Sequence, residues 1–166
     1  MSTVDNLQHA FAGESQANRK YVAFAKRAED DGFPGVANLF RAIAAAETIH
    51  ALAHLRALGG VKATLDNLKA AMAGEKEEFT EMYPPMVEAA KAERNRKAQI
   101  SMQYAMEVEK VHYELYAQAL AAVEAGKDLG ELVIRVCPTC GHTIIGDAPD
   151  ECPVCNASGE FYEIVA

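Results

Sequence analysis

The sequence DNLQHAFAGE at residues 5–14 recurs as DNLKAAMAGE at residues 66–75. Both copies carry apolar residues at three- and four-residue spacing, which predicts amphipathic helices. Both copies also end in a glutamate, Glu14 in the first and Glu75 in the second. The chain of 166 residues is therefore expected to contain two helical halves of the same design.

One Glu-x-x-His pair follows each copy of the repeat, Glu47 with His50 in the first half and Glu109 with His112 in the second. The glutamate of the pair stands 33 positions after that of the repeat in the first half and 34 positions after it in the second. Residues three apart share a face of a helix, so each Glu and its His point the same way. Each half is thus predicted to be one helix with a Glu followed by another with ExxH.

These groups lie on helix faces that are otherwise apolar, with Leu39 and Ile43 near the first pair and Met102 and Met106 near the second. Ionised carboxylates on a buried apolar face are unfavourable unless a cation balances them. A Glu from each of two helices plus a Glu-x-x-His from each of two others is the ligand set of di-iron and di-manganese carboxylate bundles. The sequence predicts such a site, with these ligands: Glu14, Glu47, His50, Glu75, Glu109 and His112.

The two halves differ at one position of the ligand face. Glu78 stands three residues after Glu75, whereas Ala17 stands three residues after Glu14. We interpret Glu78 as a seventh potential ligand, which would make the two metal positions inequivalent. The alternative is a solvated glutamate in the acidic run at residues 75–78.

All four cysteines occur as two Cys-x-x-Cys pairs, at Cys137 with Cys140 and at Cys152 with Cys155. Four thiolates from two such pairs make a tetrahedral cage that binds iron or zinc. Two disulfides in a secreted domain are the less favoured interpretation, because no targeting segment is visible. The residue after each second cysteine, Gly141 or Asn156, is expected to adopt a positive φ.

Glycine, proline and β-prone pieces replace the helical pattern near residues 126–132. We expect a mainly α fold, a four-helix bundle at residues 1–130 followed by a small metal-binding domain of short strands and loops at residues 131–166. Tyr83-Pro84-Pro85 should disturb the third helix. The helices are predicted at about 4–30, 34–58, 65–82 and 94–125, with a short helix at 86–93 and strands within 132–136 and 161–165.

Composition excludes several classes of function. The net charge of −8, with no cluster of Lys and Arg, argues against a nucleic-acid partner. No run of about 18 apolar residues exists to span a membrane. A cytoplasmic location is expected.

The chain resembles the rubrerythrins over almost its whole length. The resemblance implies a ferritin-like di-iron domain at residues 1–130, with two iron ions, and a rubredoxin-like domain at 131–166, with one iron ion that zinc can replace on preparation. Asn156 is a departure, because the family usually has glycine there. Besides the ExxH and Cys-x-x-Cys pairs, the resemblance rests on residues 12–17 (AGESQA), 18–21 (NRKY), 73–78 (AGEKEE) and 81–84 (EMYP).

The resemblance also implies a role for each iron ligand. Glu47 and Glu109 are expected to bridge the irons, Glu14 to be a terminal ligand of the first iron, and Glu75 and His112 to bind the second. The four cysteines are expected to bind the third iron.

Further residues are implied to take part in catalysis. The first iron is expected to exchange Glu78 for His50 on reduction, and Tyr21 and Tyr83 match tyrosines that lie near the irons in the family. The implied reaction is the reduction of hydrogen peroxide to water, with electrons relayed through the four-cysteine iron, between subunits, from a rubredoxin or an NAD(P)H-dependent reductase.

Two other functions fit parts of the sequence. One is a ferroxidase or iron-handling bundle, although such a protein has no need of an electron-relaying cysteine site. The other is a structural zinc-ribbon protein with an inert bundle, which leaves the additional carboxylate of Glu78 unexplained.

The link between the second and third predicted helices is short, from about residue 58 to 65. These helices run parallel in ferritin-like bundles, so the link must return along the bundle. If Glu47 and Glu75 lie at the same level of the bundle, the link must run back past the helix that follows Glu47 and the helix that precedes Glu75, a distance of about 31 Å. A fully extended link of this length spans at most about 25 Å, which is too short. We therefore expect a homodimer in which the subunits exchange helix pairs.

Overall fold

The computed structural model describes residues 2–166 and contains two compact units, which meet in the chain between Lys62 and Ala63. Helices occupy the first three quarters of the described chain, and three short strands occur near its C-terminal end, where the four cysteines lie. This confirms the predicted fold class. The domain boundary at residue 130 stays a prediction, although the last helix ends at Glu124 and the first strand begins at Ile134.

The first unit is a hairpin of α1 (Thr3–Asp30) and α2 (Pro34–Ala57). Ser2 begins α1 with a capping box, because its hydroxyl accepts from the Asp5 N–H and the Asp5 carboxylate accepts from the Ser2 N–H. The turn between the helices needs Gly32, whose φ is 81°. The observed ends lie within one residue of those predicted.

Buried Asn18 sets the register between α1 and α2. Its Nδ2 donates to the backbone oxygen of Ala44 at 2.6 Å and to Oγ1 of Thr48 at 2.7 Å. The two helices run antiparallel, so Asn18 of α1 faces the middle of α2. One turn before Asn18, Glu14 comes alongside the ExxH pair of α2.

The second unit begins with α3 (Thr64–Glu77), a π-helical segment (Glu78–Met82) and α4 (Tyr83–Ala92). The expected disturbance lies before the prolines and widens the helix rather than breaking it. Pro84 and Pro85 lack N–H donors, and their rings crowd the carbonyls of the preceding turn. The chain adapts with a wider turn, in which the Tyr83 N–H donates to the carbonyl of Glu78, five residues earlier.

Helix α5 (Arg96–Glu124) packs against α3 and α4. Asn95 caps it by accepting from the Ala98 N–H at 3.2 Å. The fourth helix was predicted from residue 94, but Arg94 has a φ of 56° and belongs to the turn. The rings of Phe79 and Tyr113 meet edge to face at 5.9 Å between α5 and the π-helical segment.

A three-stranded antiparallel sheet follows, in the order β2-β1-β3. It consists of β1 (Ile134–Val136), β2 (Thr143–Ile145) and β3 (Glu163–Ile164). Val136 pairs with Thr143 and Arg135 with Ile164. Strand β2 was not predicted, because three residues between two turns give no readable alternation. A small core of Cys137, Cys152 and Tyr162 lies beside the sheet.

None of the helices within residues 2–166 is long and apolar enough to cross a membrane.

We predict that Asn18→Ala lowers the free energy of unfolding of the metal-free protein by about 1–3 kcal/mol, because it removes a buried donor with two acceptors. Guanidinium titration followed by circular dichroism measures the loss. Asn38→Ala is the matched control, since Asn38 lies exposed on α2, and it should change stability by less than about 0.5 kcal/mol. Equal losses in the two variants would contradict the role of Asn18.

Candidate metal sites

The first unit brings together Glu14 of α1 with Glu47 and His50 of α2. Nδ1 of His50 lies 2.8 Å from Oε2 of Glu47 and 3.9 Å from Oε1 of Glu14. One ligand atom from each of the three lies within 4.8 Å of the others. We call these three residues the first trio.

The second unit repeats this arrangement with Glu75 of α3 and with Glu109 and His112 of α5, the second trio. Nδ1 of His112 lies 2.7 Å from Oε2 of Glu109 and 3.7 Å from Oε2 of Glu75. The ligand atoms again lie within 4.8 Å of one another. In both trios the same ring nitrogen faces the carboxylates, so the sequence repeat is also a repeat of geometry.

The chemistry of the second trio fits a bound cation. Burial raises the pKa of the Glu75 carboxyl above its ordinary value, and a hydrogen bond with Glu109 and the Glu109 charge raise it further, while His112 opposes the shift. Crowded carboxylates of this kind take up either protons or metal ions. Two glutamates and a histidine per trio are the oxygen and nitrogen donors expected of a di-iron carboxylate site.

Two further predicted residues, Glu78 and Tyr83, lie at the ends of the π-helical turn near the second trio. Burial raises the pKa of Glu78, and the charge of Glu75 adds to the shift. Burial also raises the pKa of Tyr83, with contributions from the charges of Glu109, Glu78 and Glu75. Glu78 and Tyr83 thus share the electrostatic environment of the trio, and Glu78 is not simply a solvated surface glutamate.

The remaining predicted catalytic residue, Tyr21, is half-buried in the first unit. Its ring packs against Phe24 and Phe40, with centroid distances of 6.2 and 6.1 Å. Its place on α1, seven residues after Glu14, puts it on the same face two turns along. These contacts fix the ring, and the catalytic role stays a prediction.

The four cysteines form the third candidate site. Sγ of Cys137 lies 3.7 Å from Sγ of Cys155, and Sγ of Cys140 lies 3.5 Å from Sγ of Cys152. A tetrahedron of sulfurs at about 2.3 Å from a metal has edges of about 3.75 Å. The described cysteines are free thiols, so the disulfide interpretation is wrong and the spacing fits a metal.

The backbone of each Cys-x-x-Cys turn has the predicted conformation. Gly141 has a φ of 88° and Asn156 a φ of 60°. The Gly141 N–H donates to the Cys137 carbonyl and the Asn156 N–H to the Cys152 carbonyl, both at 2.9 Å. Asparagine tolerates this left-handed conformation better than most residues, so its presence in place of glycine leaves the turn intact.

A buried His142–Tyr162 pair beside the cysteines was missed from the sequence. The hydroxyl of Tyr162 lies 2.7 Å from Nδ1 of His142. Burial works to raise the pKa of the Cys152 thiol, but hydrogen bonds from Tyr162 and from the N–H groups of Cys155 and Val154 outweigh it and lower the pKa to about 6. A thiol that ionises readily is a good metal ligand. Burial raises the pKa of the Cys140 and Cys155 thiols instead, so a bound metal ion would hold these two as thiolates.

The sequence also gives no sign of a contact between a candidate metal ligand and the cysteine region. Thr143 of β2 places Oγ1 at 3.1 Å from Nε2 of His112. Thr143 belongs to no motif, and no spacing signal connects positions 31 residues apart, so only the tertiary structure reveals the pair. A cavity of about 330 Å³, lined mainly by apolar side chains, lies beside them.

Comparison with known proteins gives concordant results. A family model described as Rubrerythrin matches residues 5–120, and one described as Rubrerythrin, rubredoxin-like domain matches residues 136–163. The chain is 31% identical to Rubrerythrin-2 of Clostridium acetobutylicum, covering 97% of this chain and 95% of that protein. It is 37% identical to Nigerythrin of Nitratidesulfovibrio vulgaris, covering 93% and 82%.

The solved structures similar to this chain include nigerythrin in its fully reduced, all-ferrous state. The match has a TM-score of 0.59 at 31% sequence identity and covers 99% of this chain and 87% of that one.

We predict that Glu75 and Glu78 destabilise the metal-free protein once they ionise. Their folded pKa values lie above the ordinary 4.5, so the folded state binds their protons more tightly. Their contribution to stability therefore falls as the pH rises from about 4.5 through the folded pKa. Glu75→Gln with Glu78→Gln should raise the melting temperature of metal-free protein more at pH 7 than at pH 5.

Thermal melts in a chelating buffer test this, with Glu93→Gln as the control because Glu93 is exposed. The difference between variant and wild type removes the effects of other titrating groups. A double variant whose gain is the same at the two pH values would disprove the electrostatic cause.

Proposed function

This chain belongs to the rubrerythrin family, and from that membership we propose that it reduces hydrogen peroxide to water. Its cofactors are a carboxylate- and histidine-bound pair of irons and one iron of the rubredoxin-like, four-cysteine type. The observation that supports the proposal most strongly is that the Glu, Glu, His trio occurs twice in a chain that also carries four convergent thiols.

Two ferrous ions supply together the two electrons that cleavage of the peroxide O–O bond requires. The protein residues bind the ions and orient the peroxide. Glu47 and Glu109, side by side with their histidines, would be the carboxylates shared between the two irons, and Glu14 and Glu75 would each hold one of them. The raised pKa of Tyr83 keeps its hydroxyl protonated, so the hydroxyl could donate a hydrogen bond to an oxygen of the peroxide.

Glu78 and His50 are proposed to serve different oxidation states. A carboxylate favours ferric iron, and an imidazole suits the ferrous ion better because it adds no negative charge. Glu78 begins a π-helical turn, a structure often found at functional sites. His50 has an exposed side chain, at 55% of its full area, so little packing opposes a change of its position.

The electron donor is proposed to be a rubredoxin or an NAD(P)H-dependent reductase. All four cysteines are free thiols, and the proposed iron site needs all four as ligands. Free thiols persist in a reducing compartment, so we propose a cytoplasmic location. The ferroxidase function is the second candidate, and the four-cysteine site is the feature it does not use.

The subunits are proposed to form a homodimer by exchanging helix pairs. Glu47 precedes the end of α2 by ten residues and Glu75 follows the start of α3 by eleven, which together amount to about 31 Å of helix. The link from Ala57 to Thr64 spans at most about 25 Å. One chain therefore cannot easily join its own two trios at one level of a bundle, whereas two chains can.

The face of α2 that carries the first trio supports this proposal. Leu39 and Ile43 precede Glu47 at four-residue steps and share its face. They are 60% and 39% exposed, which is unusual for large apolar residues in a row. A second copy of the chain would cover this face of α2 and bring its own second trio beside the first trio. The two trios together would complete the set of six ligands.

We predict that iron-loaded protein, after enzymatic reduction without oxygen, consumes peroxide much faster than dioxygen. Stopped-flow absorption at the thiolate-to-iron bands and at the di-iron bands measures both reactions. Reaction with dioxygen as fast as with peroxide would favour the ferroxidase function instead.

We predict that Glu78→Ala leaves both irons bound but changes the diferric state, whereas His50→Ala changes the diferrous state more. Mössbauer spectra of each variant in each state report the ligand change. Crystal structures in which the first iron keeps one position and one ligand set in both states would disprove the exchange.

We predict that two inactive chains complement each other in a mixed dimer. One chain carries Glu47→Ala with His50→Ala, and the other carries Glu75→Ala with Glu109→Ala. With exchanged helix pairs, one site of the mixed dimer is intact, so part of the peroxidase activity should return. Mixed dimers that form without recovering a di-iron signal would show that each chain builds its own site.

A further inference from the structure

A buried histidine and a buried tyrosine lie beside the cysteines, and neither takes part in the proposed reaction. His142 is 7% exposed and Tyr162 is 9% exposed. Their rings meet edge to face with centroids 5.9 Å apart, and Tyr162 packs in one small core with Cys137 and Cys152. Burying two polar side chains costs free energy unless they are hydrogen-bonded, so their place in this core points to a role at the sulfurs.

The backbone holds both rings in place. The carbonyl of His142 accepts from the Cys137 N–H at 2.9 Å, which ties His142 to the first cysteine turn. The N–H of Tyr162 donates to the Gly159 carbonyl at 3.1 Å. The 2.7 Å contact between the Tyr162 hydroxyl and Nδ1 of His142 thus joins two anchored side chains from positions 20 residues apart.

The hydroxyl of Tyr162 is also hydrogen-bonded to the sulfur of Cys152. A metal-bound thiolate has no proton and can only accept, whereas a phenol has one proton to give. When Cys152 binds a metal, the hydroxyl proton must therefore point at Sγ, and the phenolic oxygen accepts from His142. Nδ1 of His142 then carries a proton, because the opposite direction would leave the oxygen and the sulfur facing each other without a hydrogen between them.

This donor differs in kind from the others at the cysteines. Backbone N–H groups of both turns also donate to the sulfurs. Those donors come with the conformation of a Cys-x-x-Cys turn and stay when the neighbouring side chains change. The hydroxyl of Tyr162 depends on one side chain, so the sequence can add or remove it while the turn remains.

A donor aimed at a ligand sulfur acts differently on the two oxidation states of the iron. A four-cysteine site carries one more negative charge when its iron is ferrous than when it is ferric. The hydrogen bond from Tyr162 therefore stabilises the ferrous state more, and hydrogen bonds to the sulfurs are among the factors that set the reduction potential of such centres.

We propose that Tyr162 and His142 are positioning residues, in which His142 directs the Tyr162 hydroxyl proton at Sγ of Cys152 and the hydroxyl raises the reduction potential of the four-cysteine iron. The reaction concerned is the uptake of one electron from the donor protein, which turns ferric iron into ferrous iron while the tyrosine keeps its proton. The benefit for catalysis, an easier reduction by that donor, rests on the proposed function, whereas the potential itself does not.

The role of the hydroxyl is tested with Tyr162→Phe in the iron-loaded full-length protein. The visible thiolate-to-iron bands, followed in the presence of redox mediators, give the reduction potential. Tyr162→Phe should make reduction about tenfold less favourable, which is a potential about 59 mV lower for one electron. Tyr116→Phe is the matched control, because it removes the same atom from a side chain on α5 that is 37% exposed, and it should leave the potential unchanged. A Tyr162→Phe potential equal to that of the wild type would overturn the proposal.

The role of His142 is tested by a double-mutant cycle. His142→Phe should lower the potential by less than Tyr162→Phe does, because the hydroxyl remains but loses the group that directs it. In the Tyr162→Phe background the same substitution should have almost no further effect, since the histidine acts through the hydroxyl. An equal effect of His142→Phe in both backgrounds would show a merely structural role and overturn the positioning by His142.

The direction of the hydrogen bonds is tested in the wild-type chain, which avoids any loss of folding in a variant. Full-length protein loaded with ¹¹³Cd at the four cysteines is diamagnetic and suits NMR. Its spectra should show a proton on Nδ1 of His142 and a scalar coupling from the Tyr162 hydroxyl proton to ¹¹³Cd through Sγ of Cys152. An unprotonated Nδ1, or a hydroxyl proton without this coupling, would overturn the proposal.

The cadmium spectra decide alone if Tyr162→Phe loses the visible bands and therefore its iron. None of these measurements uses peroxide. A protein that fails to reduce peroxide but shows the expected potentials and couplings would disprove the proposed function and leave the role of Tyr162 and His142 intact.

Discussion

Carboxylates brought together in a partly buried space repel one another. The helices of this protein gather glutamates in two such places, so the repulsion must be balanced there. In each trio two glutamates lie within reach of one histidine nitrogen, and in the second trio burial, followed by the hydrogen bond and the charge of Glu109, raises the pKa of Glu75. A cation removes the conflict and turns repulsion into ligation. Metal binding is thus expected to stabilise this region as well as to supply its chemistry.

The helix faces of the first unit are only partly covered by its own two helices. The hairpin of α1 and α2 buries alanines, such as Ala25, Ala37 and Ala44, more completely than its large apolar residues. Small buried residues allow the two helices to approach closely, while Leu39 and Ile49 remain more than half exposed. A two-helix hairpin has too little interior to bury both faces, so some of its large apolar residues remain exposed, as the proposed homodimer requires.

Asymmetry between the two halves arises from the backbone as well as from the ligands. Pro84 and Pro85 remove two N–H donors, the preceding turn widens into a π-helical segment, and Glu78 and Tyr83 stand at its two ends. The first half has neither the prolines nor the additional glutamate. The contact between Thr143 and His112 adds a second asymmetry, because it gives the histidine of one trio a support that comes from the cysteine region.

The sequence by itself determined the two-half helical design, both trios, the four-thiolate site and the positive φ at Gly141 and Asn156. These features depend on periodicity, on ligand spacing within one helix or turn, and on local backbone sterics, all of which act over a few residues. The tertiary structure alone decided the π-helical turn, the strand β2 and the hydrogen bond between Thr143 and His112. The π-helical turn forms because the helix adapts to its prolines while it packs on α5, and β2 is too short to show an alternating pattern. The hydrogen bond joins residues 31 positions apart. Such features depend on which surfaces pack together, and no local pattern records that.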